Sequence, residues 1–390
     1  MDISPQIRAL CHYVEQEDFS GFDPYDALNS PIVRALCFNR KYGRIAWIQL
    51  FRRLPLNLRP FVLLAKGHNP KGLGLFLGGY GKLYHVNKEP GSLNNIRHLL
   101  GLLNMCKSAG YSGNCWGYNF DWQSRAFYVP QYTPTIVNSG FIGHALLDAF
   151  QFTGDQKALD LAVPIKDFLL KDLHRTKDGD TFCFSYTPID NTAVHNANLL
   201  GASLLIRLYK ITGEQRLRDV ALSSLAYSMK HQHDDGSWYY AETAMQSWID
   251  SFHTGFNLQA IRWFLQLGEA TEFQAAFERG VDFYAGHFFL EDGTPKYYHN
   301  KVYPIDIHSP AQAIVFFSGE GDAYQELTDR ILNWTLKEMY DPHKGLFYFR
   351  KGRYMTNKIP YMRWGQAWAF HALTEYLLFR NTGGRLHAPQ

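Results

Sequence analysis

Apolar residues along this chain fall at helical spacing, in a plan that recurs. Leu199, Leu200, Leu204, Leu205 and Leu208 mark one helical face. Thr212-Gly213 ends that stretch, because glycine takes the left-handed conformation that closes a helix. Leu217, Val220, Ala221, Leu225 and Met229 give a second stripe. Asp235-Gly236 then signals a tight turn, and Trp238-Tyr239-Tyr240 predicts a short β-ribbon leading onward. The same order runs from Asn138-Ser-Gly-Phe-Ile-Gly-His to Asp178-Gly179, and from Phe252-His-Thr-Gly to Asp292-Gly293. The Asp-Gly pairs begin at 178, 235 and 292, so both intervals are 57 residues, which identifies a repeated helical hairpin.

Two looser units extend the series. One runs from His308-Ser-Pro-Ala-Gln to Asp341-Pro-His-Lys-Gly, the other covers Asn69-Pro-Lys-Gly and a helix from Asn95 to Cys106. A last helix starts near Trp364, and the amphipathic stretch from Ile45 to Leu54 is taken as its outer partner. An open solenoid would need capping repeats, whereas six hairpins can close into a ring. The fold expected is therefore all-α, an (α/α)6 toroid with short β-ribbons in the connecting loops. Residues 1–65 are read as an N-terminal helical arm packed on the toroid of residues 66–390. Gly72, Gly74, Gly78 and Gly79 lie in a helical pattern and predict close helix packing.

Composition narrows the function classes. A net charge of +3 is too small for a nucleic-acid binder and leaves room for an anionic small ligand. Aromatic residues make up 16% of the chain, enough to supply flat faces for sugar rings as well as core. No run approaches the roughly 20 apolar residues of a membrane span, and no basic segment followed by an apolar run opens the sequence. The five cysteines are scattered without a Cys-x-x-Cys pair, which reads as reduced thiols and a cytoplasmic location.

In such a ring the inner helices share one direction, so the loops that enter them gather at one mouth. Those loops carry Trp116-Gly-Tyr118-Asn-Phe-Asp121-Trp122, Tyr186 through Asp190 to His195-Asn196, and Trp248-Ile-Asp250-Ser-Phe-His253. Asp306-Ile-His308 and Tyr361-Met-Arg363-Trp364 follow. Asp121 sits between Phe120 and Trp122, and an aromatic cage would raise a carboxyl pKa as a general acid requires. Asp250 is the candidate partner for hydrolysis of a glycosidic bond. His253 and Tyr361 complete the candidate catalytic set. Trp116, Tyr118, Trp122, Tyr186, His195, Asn196, Trp248, His308, Arg363 and Trp364 are the candidate substrate-binding residues. Asp190, Asp250 and Asp306 also suit helix N-caps, and Asp178, Asp235 and Asp292 read as turn residues.

The repeat plan and the aromatic-acid loops resemble the six-hairpin glycosidase and lyase superfamily over residues 66–380. The units containing Thr212-Gly-Glu-Gln-Arg-Leu and His233-Asp-Asp-Gly-Ser-Trp-Tyr-Tyr also resemble the C-terminal helical domain of glucuronyl C5-epimerases. Gly67-His-Asn-Pro-Lys-Gly-Leu-Gly, Cys115-Trp-Gly-Tyr-Asn-Phe-Asp-Trp-Gln and Asp250-Ser-Phe-His-Thr are similar to proteins associated with bacterial polysaccharide biosynthesis, a group that implies no single reaction. The resemblance implies a glycan-active enzyme whose partner is an oligosaccharide or polysaccharide, with uronic acids among its candidate sugars.

Three readings follow. The first is a glycoside hydrolase using Asp121 and Asp250. The second is a uronate lyase or C5-epimerase that removes a proton with Tyr or His while Arg363 neutralises the carboxylate. The third is a non-catalytic glycan-binding or scaffold protein. Gln232-His-Asp-Asp-Gly-Ser-Trp resembles a turn motif of isoprenoid cyclases, but no Asp-x-Asp-Asp run accompanies it. His195, His253 and His308 enter from successive units, yet none belongs to a local ligand pair, so no metal is assigned. No phosphate-cradling or dinucleotide motif is present, and no cofactor is expected.

Overall fold

The computed structural model describes residues 2–37, 40–123 and 128–383. Its first helix, α1 (Ser4–Gln16), buries Ile7, Leu10 and Val14. Two further helices follow, α2 (Pro31–Leu36) and α3 (Lys41–Arg53). Then come the paired helices: α4 (Pro70–Asn87) with α5 (Pro90–Met105), and α6 (Ile136–Thr153) with the split pair α7 (Gln156–Ala162) and α8 (Ile165–Lys171). The next three pairs are α9 (His195–Thr212) with α10 (Gln215–Lys230), α11 (Ser251–Gln266) with α12 (Gln274–His287), and α13 (His308–Ser318) with α14 (Gln325–Glu338). The last helix is α15 (Trp368–Thr382).

The inner helices form a closed circuit: α4 packs on α6, α6 on α9, α9 on α11, α11 on α13, α13 on α15, and α15 back on α4. This is the expected (α/α)6 toroid. Short antiparallel strand pairs, such as Arg175–Asp178 with Thr181–Phe184, lie in the connections. Among the described residues no helix is long and apolar enough to cross a membrane.

Sequence chemistry explains why the units stack. Asn69, Thr135 and Asp250 accept hydrogen bonds from amides in the first turns of α4, α6 and α11, satisfying donors that a helix start leaves orphaned. Gly154 and Gly213 close α6 and α9 in the left-handed conformation. The repeated Asp-Gly turns have a packing reason too. A Cβ on Gly236 would lie 2.3 Å from the Arg279 carbonyl of α12, and one on Gly293 2.5 Å from the Arg330 carbonyl of α14. These two turns are therefore seated on the next outer helix, where only glycine fits, whereas Gly179 of the first turn has open space around it. The glycines of α4 act as expected: a Cβ on Gly74 would meet Ile142 at 2.9 Å, and one on Gly79 would meet Phe370 at 2.5 Å.

The twelfth helix is not the one expected. The stretch from Ile45 to Leu54 forms most of α3, which buries only Ile48 and Phe51, in a small cluster with Ala27, Leu28, Val33 and Cys37. Helix α1 takes the outer place beside α15, and its three apolar side chains join the main core. The apolar stripe of α3 is too narrow to cover a hairpin, whereas the stripe of α1 is continuous. The first helical unit also starts earlier than expected, with α5 running from Pro90 to Met105.

Candidate functional site

The loops entering the inner helices enclose a cavity of about 420 Å³ at one end of the ring. Its walls are largely phenol and indole. Tyr118 stacks on Phe120 with ring centroids 5.1 Å apart, and Trp248 stacks on Tyr240 at 4.7 Å. Trp122, Tyr186, Tyr25, Tyr297 and Tyr298 continue the lining. Burial raises the pKa of Tyr118, Tyr186 and Tyr240, so these phenols keep their protons and serve as hydrogen-bond donors.

His253 is the best-oriented titratable group in the cavity. It lies in the first turn of α11, half-buried beneath the Tyr240 ring. Asp250 accepts from the His253 backbone amide at 3.1 Å and lies 2.7 Å from its Nδ1. The Trp248 indole donates to the same carboxylate at 2.8 Å. A carboxylate can only accept, so it holds the proton on Nδ1 and leaves Nε2 with its lone pair. One aspartate thus caps the helix, fixes the imidazole tautomer and anchors the indole wall.

His308, at the start of α13, is buried, and neither ring nitrogen has a protein partner among the described residues. It stacks on Phe252 at 4.5 Å. Its pKa lies well below the usual value because of burial, then the positive charges of Lys71 and Arg363, so the ring is neutral.

Lys71 is on the second residue of α4, buried, with its ammonium 4.1 Å from the Phe141 ring centroid. No carboxylate among the described residues forms an ion pair with it. Burial and the nearby Arg363 hold its pKa well below the normal lysine range. Arg363, by contrast, donates to both oxygens of Asp23, at 2.6 and 2.8 Å. It reaches the cavity because the chain winds in a wide π-helical turn over Met362–Ala367, where the amides of both Gly365 and Gln366 bond the Tyr361 carbonyl.

No aspartate or glutamate lines this cavity among the described residues. The nearby carboxylates lie one layer back, each committed to a neighbour. Asp250 holds His253, and Asp23 holds Arg363. Asp306 accepts from the Trp364 indole at 2.7 Å and pairs with Arg350 at 2.7 Å.

The expected residues divide accordingly. Tyr118, Trp122, Tyr186, Asn196, Trp248, His253, His308, Arg363 and Trp364 line the cavity together. Asp250 is adjacent and acts through His253. Asp121 is not brought in: Phe120 and Trp122 face the cavity, while the side chain between them turns the other way. Its carboxylate accepts from the Gln131 amide at 2.8 Å and pairs with Arg34 at 3.1 Å. Trp116 is buried wall, donating to the Leu103 carbonyl. The Tyr361 hydroxyl accepts from Arg59 at 2.9 Å, behind the cavity. His195 sits off the cavity between Ser228 at 3.2 Å and Glu242 at 2.6 Å, so the three successive histidines do not converge.

Asp190 does not cap α9 but closes its own loop by accepting from the Thr187 and Thr192 amides. Sequence reasoning missed Lys71, Arg52, Tyr240, Tyr297 and Tyr298. The signal for Lys71 was its place at the start of the first inner helix, in Asn69-Pro-Lys-Gly. The tyrosines follow the Asp235-Gly and Asp292-Gly turns directly.

No family model matches the chain, nor does any curated protein. Solved structures do. The cellobiose 2-epimerase of Bacillus thermoamylovorans superposes with a TM-score of 0.62 at 13% identity, over 80% of this chain and 88% of that one. The GH76 α-mannanase of Bacteroides thetaiotaomicron gives 0.61 at 13%, over 80% and 86%. A polysaccharide lyase gives 0.54 at 11%, over 79% and 89%. At such identities the likeness establishes the toroid alone. These proteins are named for epimerisation, hydrolysis and elimination, so the reaction has to be argued from this chain's own residues.

Proposed function

We propose that this protein is a glycan-active enzyme that removes the proton on the sugar carbon next to a uronate carboxylate, the step shared by C5-epimerases and uronate lyases. The observation that carries this reading is the composition of the cavity: a tautomer-fixed histidine and an unpaired lysine face it, and no lining carboxylate does.

His253 Nε2 takes the C5 proton, and Asp250 stabilises the imidazolium that forms. The electron pair left at C5 spreads onto the sugar carboxylate, where Lys71 meets the growing charge. An arriving carboxylate also favours the charged form of Lys71, opposing the burial that lowers its pKa. A lining phenol then either returns a proton to the opposite face of C5 or gives one to the oxygen leaving C4. The first course inverts the carbon, and the second breaks the C4–O bond and leaves a C4–C5 double bond. The stacked aromatic walls hold the sugar rings. Arg363 is already committed to Asp23 and acts as a positioning residue, not as the free cation expected of it. A retaining or inverting hydrolase needs two carboxyl groups flanking the bond, and neither Asp121 nor Asp250 presents one here. A role in polysaccharide assembly within the cytoplasm fits five unpaired cysteines.

The test is incubation with uronate and carboxyl-reduced oligosaccharides in heavy water, followed by NMR and by absorbance of unsaturated uronate. Deuterium at C5 or a C4–C5 double bond, confined to the uronate series, is expected. New reducing ends on neutral glycans without either signal would overturn the reading in favour of hydrolysis.

A further inference from the structure

Beside the main cavity lies a second cleft of about 430 Å³, between the end of α3 and the strand pair Arg350–Lys351 and Thr356–Asn357. The two spaces share Arg52, Tyr297 and Tyr298 as a common wall. The cleft lining adds Arg53 and Arg350 and contains no aspartate or glutamate among the described residues. Arg350 has a partner, since it pairs with Asp306 at 2.7 Å. Arg52 has none. Its guanidinium packs 5.2 Å from the Tyr25 ring centroid, and its buried Nε donates to nothing among the described residues. A buried guanidinium donor without an acceptor is costly unless a ligand supplies one. Arg53 is exposed and forms no ion pair among the described residues.

We propose that this cleft is a second binding site, which takes the acidic sugars flanking the one that reacts. Arg52 stands at the junction and Arg53 at the outer wall, and each meets one anionic group of a continuous polysaccharide chain. Tyr297 and Tyr298 carry the chain from one space into the other. The inference rests on the uronate reading for the main cavity. It adds that the N-terminal arm, through α3, selects extended polyanionic chains over short ones.

The test is calorimetric binding of a size series of oligouronates, from disaccharide to hexasaccharide, to His253→Gln protein, so that turnover does not consume the ligand. Affinity is expected to rise with length and to fall with added salt. Arg53→Gln is expected to remove about ten-fold of the affinity for the longest ligand, the worth of one charge-assisted contact. It leaves disaccharide affinity unchanged, with an unaltered melting curve to show that the fold is intact. The carboxyl-reduced series should show no gain with length. A sulfated neutral series that gains equally would assign the cleft to anions in general; a gain confined to uronates would assign it to carboxylates. Equal affinity for all lengths, or a length effect untouched by Arg53→Gln, would overturn the second site. Length-dependent binding without C5 exchange in the wild type would instead keep the cleft and remove the proposed reaction.

Discussion

Helix α4 carries a buried lysine near each end of the ring, in opposite electrostatic surroundings. Lys71, at the cavity end, lies against the rings of Phe141, Phe256 and Trp368, with no carboxylate partner among the described residues. Lys82, eleven residues and so about 16 Å further along the helix, lies 2.7 Å from Glu375 and 3.2 Å from His371. Its end of the ring is neutralised throughout. Arg207 pairs with Asp148 at 2.6 Å, and Arg262 with Glu320 at 3.0 Å. The helices are the same, so the difference lies in what the ends are for. Paired charges close the far end, while the cavity end leaves hydrogen-bonding groups without protein partners, a state that a purely structural core avoids.

The largest effect expected is on turnover. His253→Ala should lower C5 exchange by about two to four orders of magnitude, the usual worth of a general base. Asp250→Asn should also impair exchange, since the tautomer is no longer fixed; both are read by NMR in heavy water. The two lysines should then part company. Lys82→Met removes the buried cation from beside Glu375 and should cost about 3–5 kcal/mol of stability in a denaturant titration. Lys71→Met removes a buried amine that has no carboxylate partner among the described residues, so it should melt no lower than the wild type yet lose uronate binding. Equal destabilisation by both would break the contrast.

A smaller effect comes from pH. Burial, then the charge of Arg207 or Lys82, holds His144 and His371 at about 3. Both therefore stay neutral in the folded chain while the unfolded chain takes up protons below its pKa of about 6.5. Stability rises with pH wherever the unfolded state binds more protons. It should thus fall by about 2 kcal/mol per histidine between pH 7 and 5. His144→Gln should flatten that slope in melting curves. Smallest of all, Asp121→Asn breaks a pair whose arginine is half exposed, and should change stability by less than about 1 kcal/mol with turnover intact. Loss of turnover in that variant would return Asp121 to the chemistry.

The ring was legible because its information is local and repeated. Helical stripes, glycine stops and the 57-residue spacing of Asp-Gly turns each report on one hairpin, and closure follows from counting them. Side-chain direction was not legible in the same way. In Phe120-Asp121-Trp122 the two aromatics that marked the carboxylate for attention face the cavity, while the carboxylate itself is held by Gln131 and Arg34. Tyr361 looked available until Arg59, 302 residues away, took its hydroxyl. His195 likewise depends on Glu242, 47 residues on. Partners brought from afar decide which polar residue is left over for a ligand, and they lie outside any repeat. Lys71 is the converse case. It stands out because no carboxylate among the described residues pairs with it, an absence that no local motif announces.

The Asp23–Arg363 pair joins residues 340 positions apart, and α1 seats against α15 to complete the outer layer. A chain made from its N-terminus can stack its hairpins as they emerge, but its first helix must wait for its last. The circle, and the cavity within it, come into being only when that final helix docks. Closing so long a loop is the slow kind of folding step. A nascent chain therefore holds its apolar inner faces open longest at the seam between α15 and α4. There the first and last parts of the ring are latched by two buried ion pairs, Asp23–Arg363 and Lys82–Glu375, which form only once the final helix is in place.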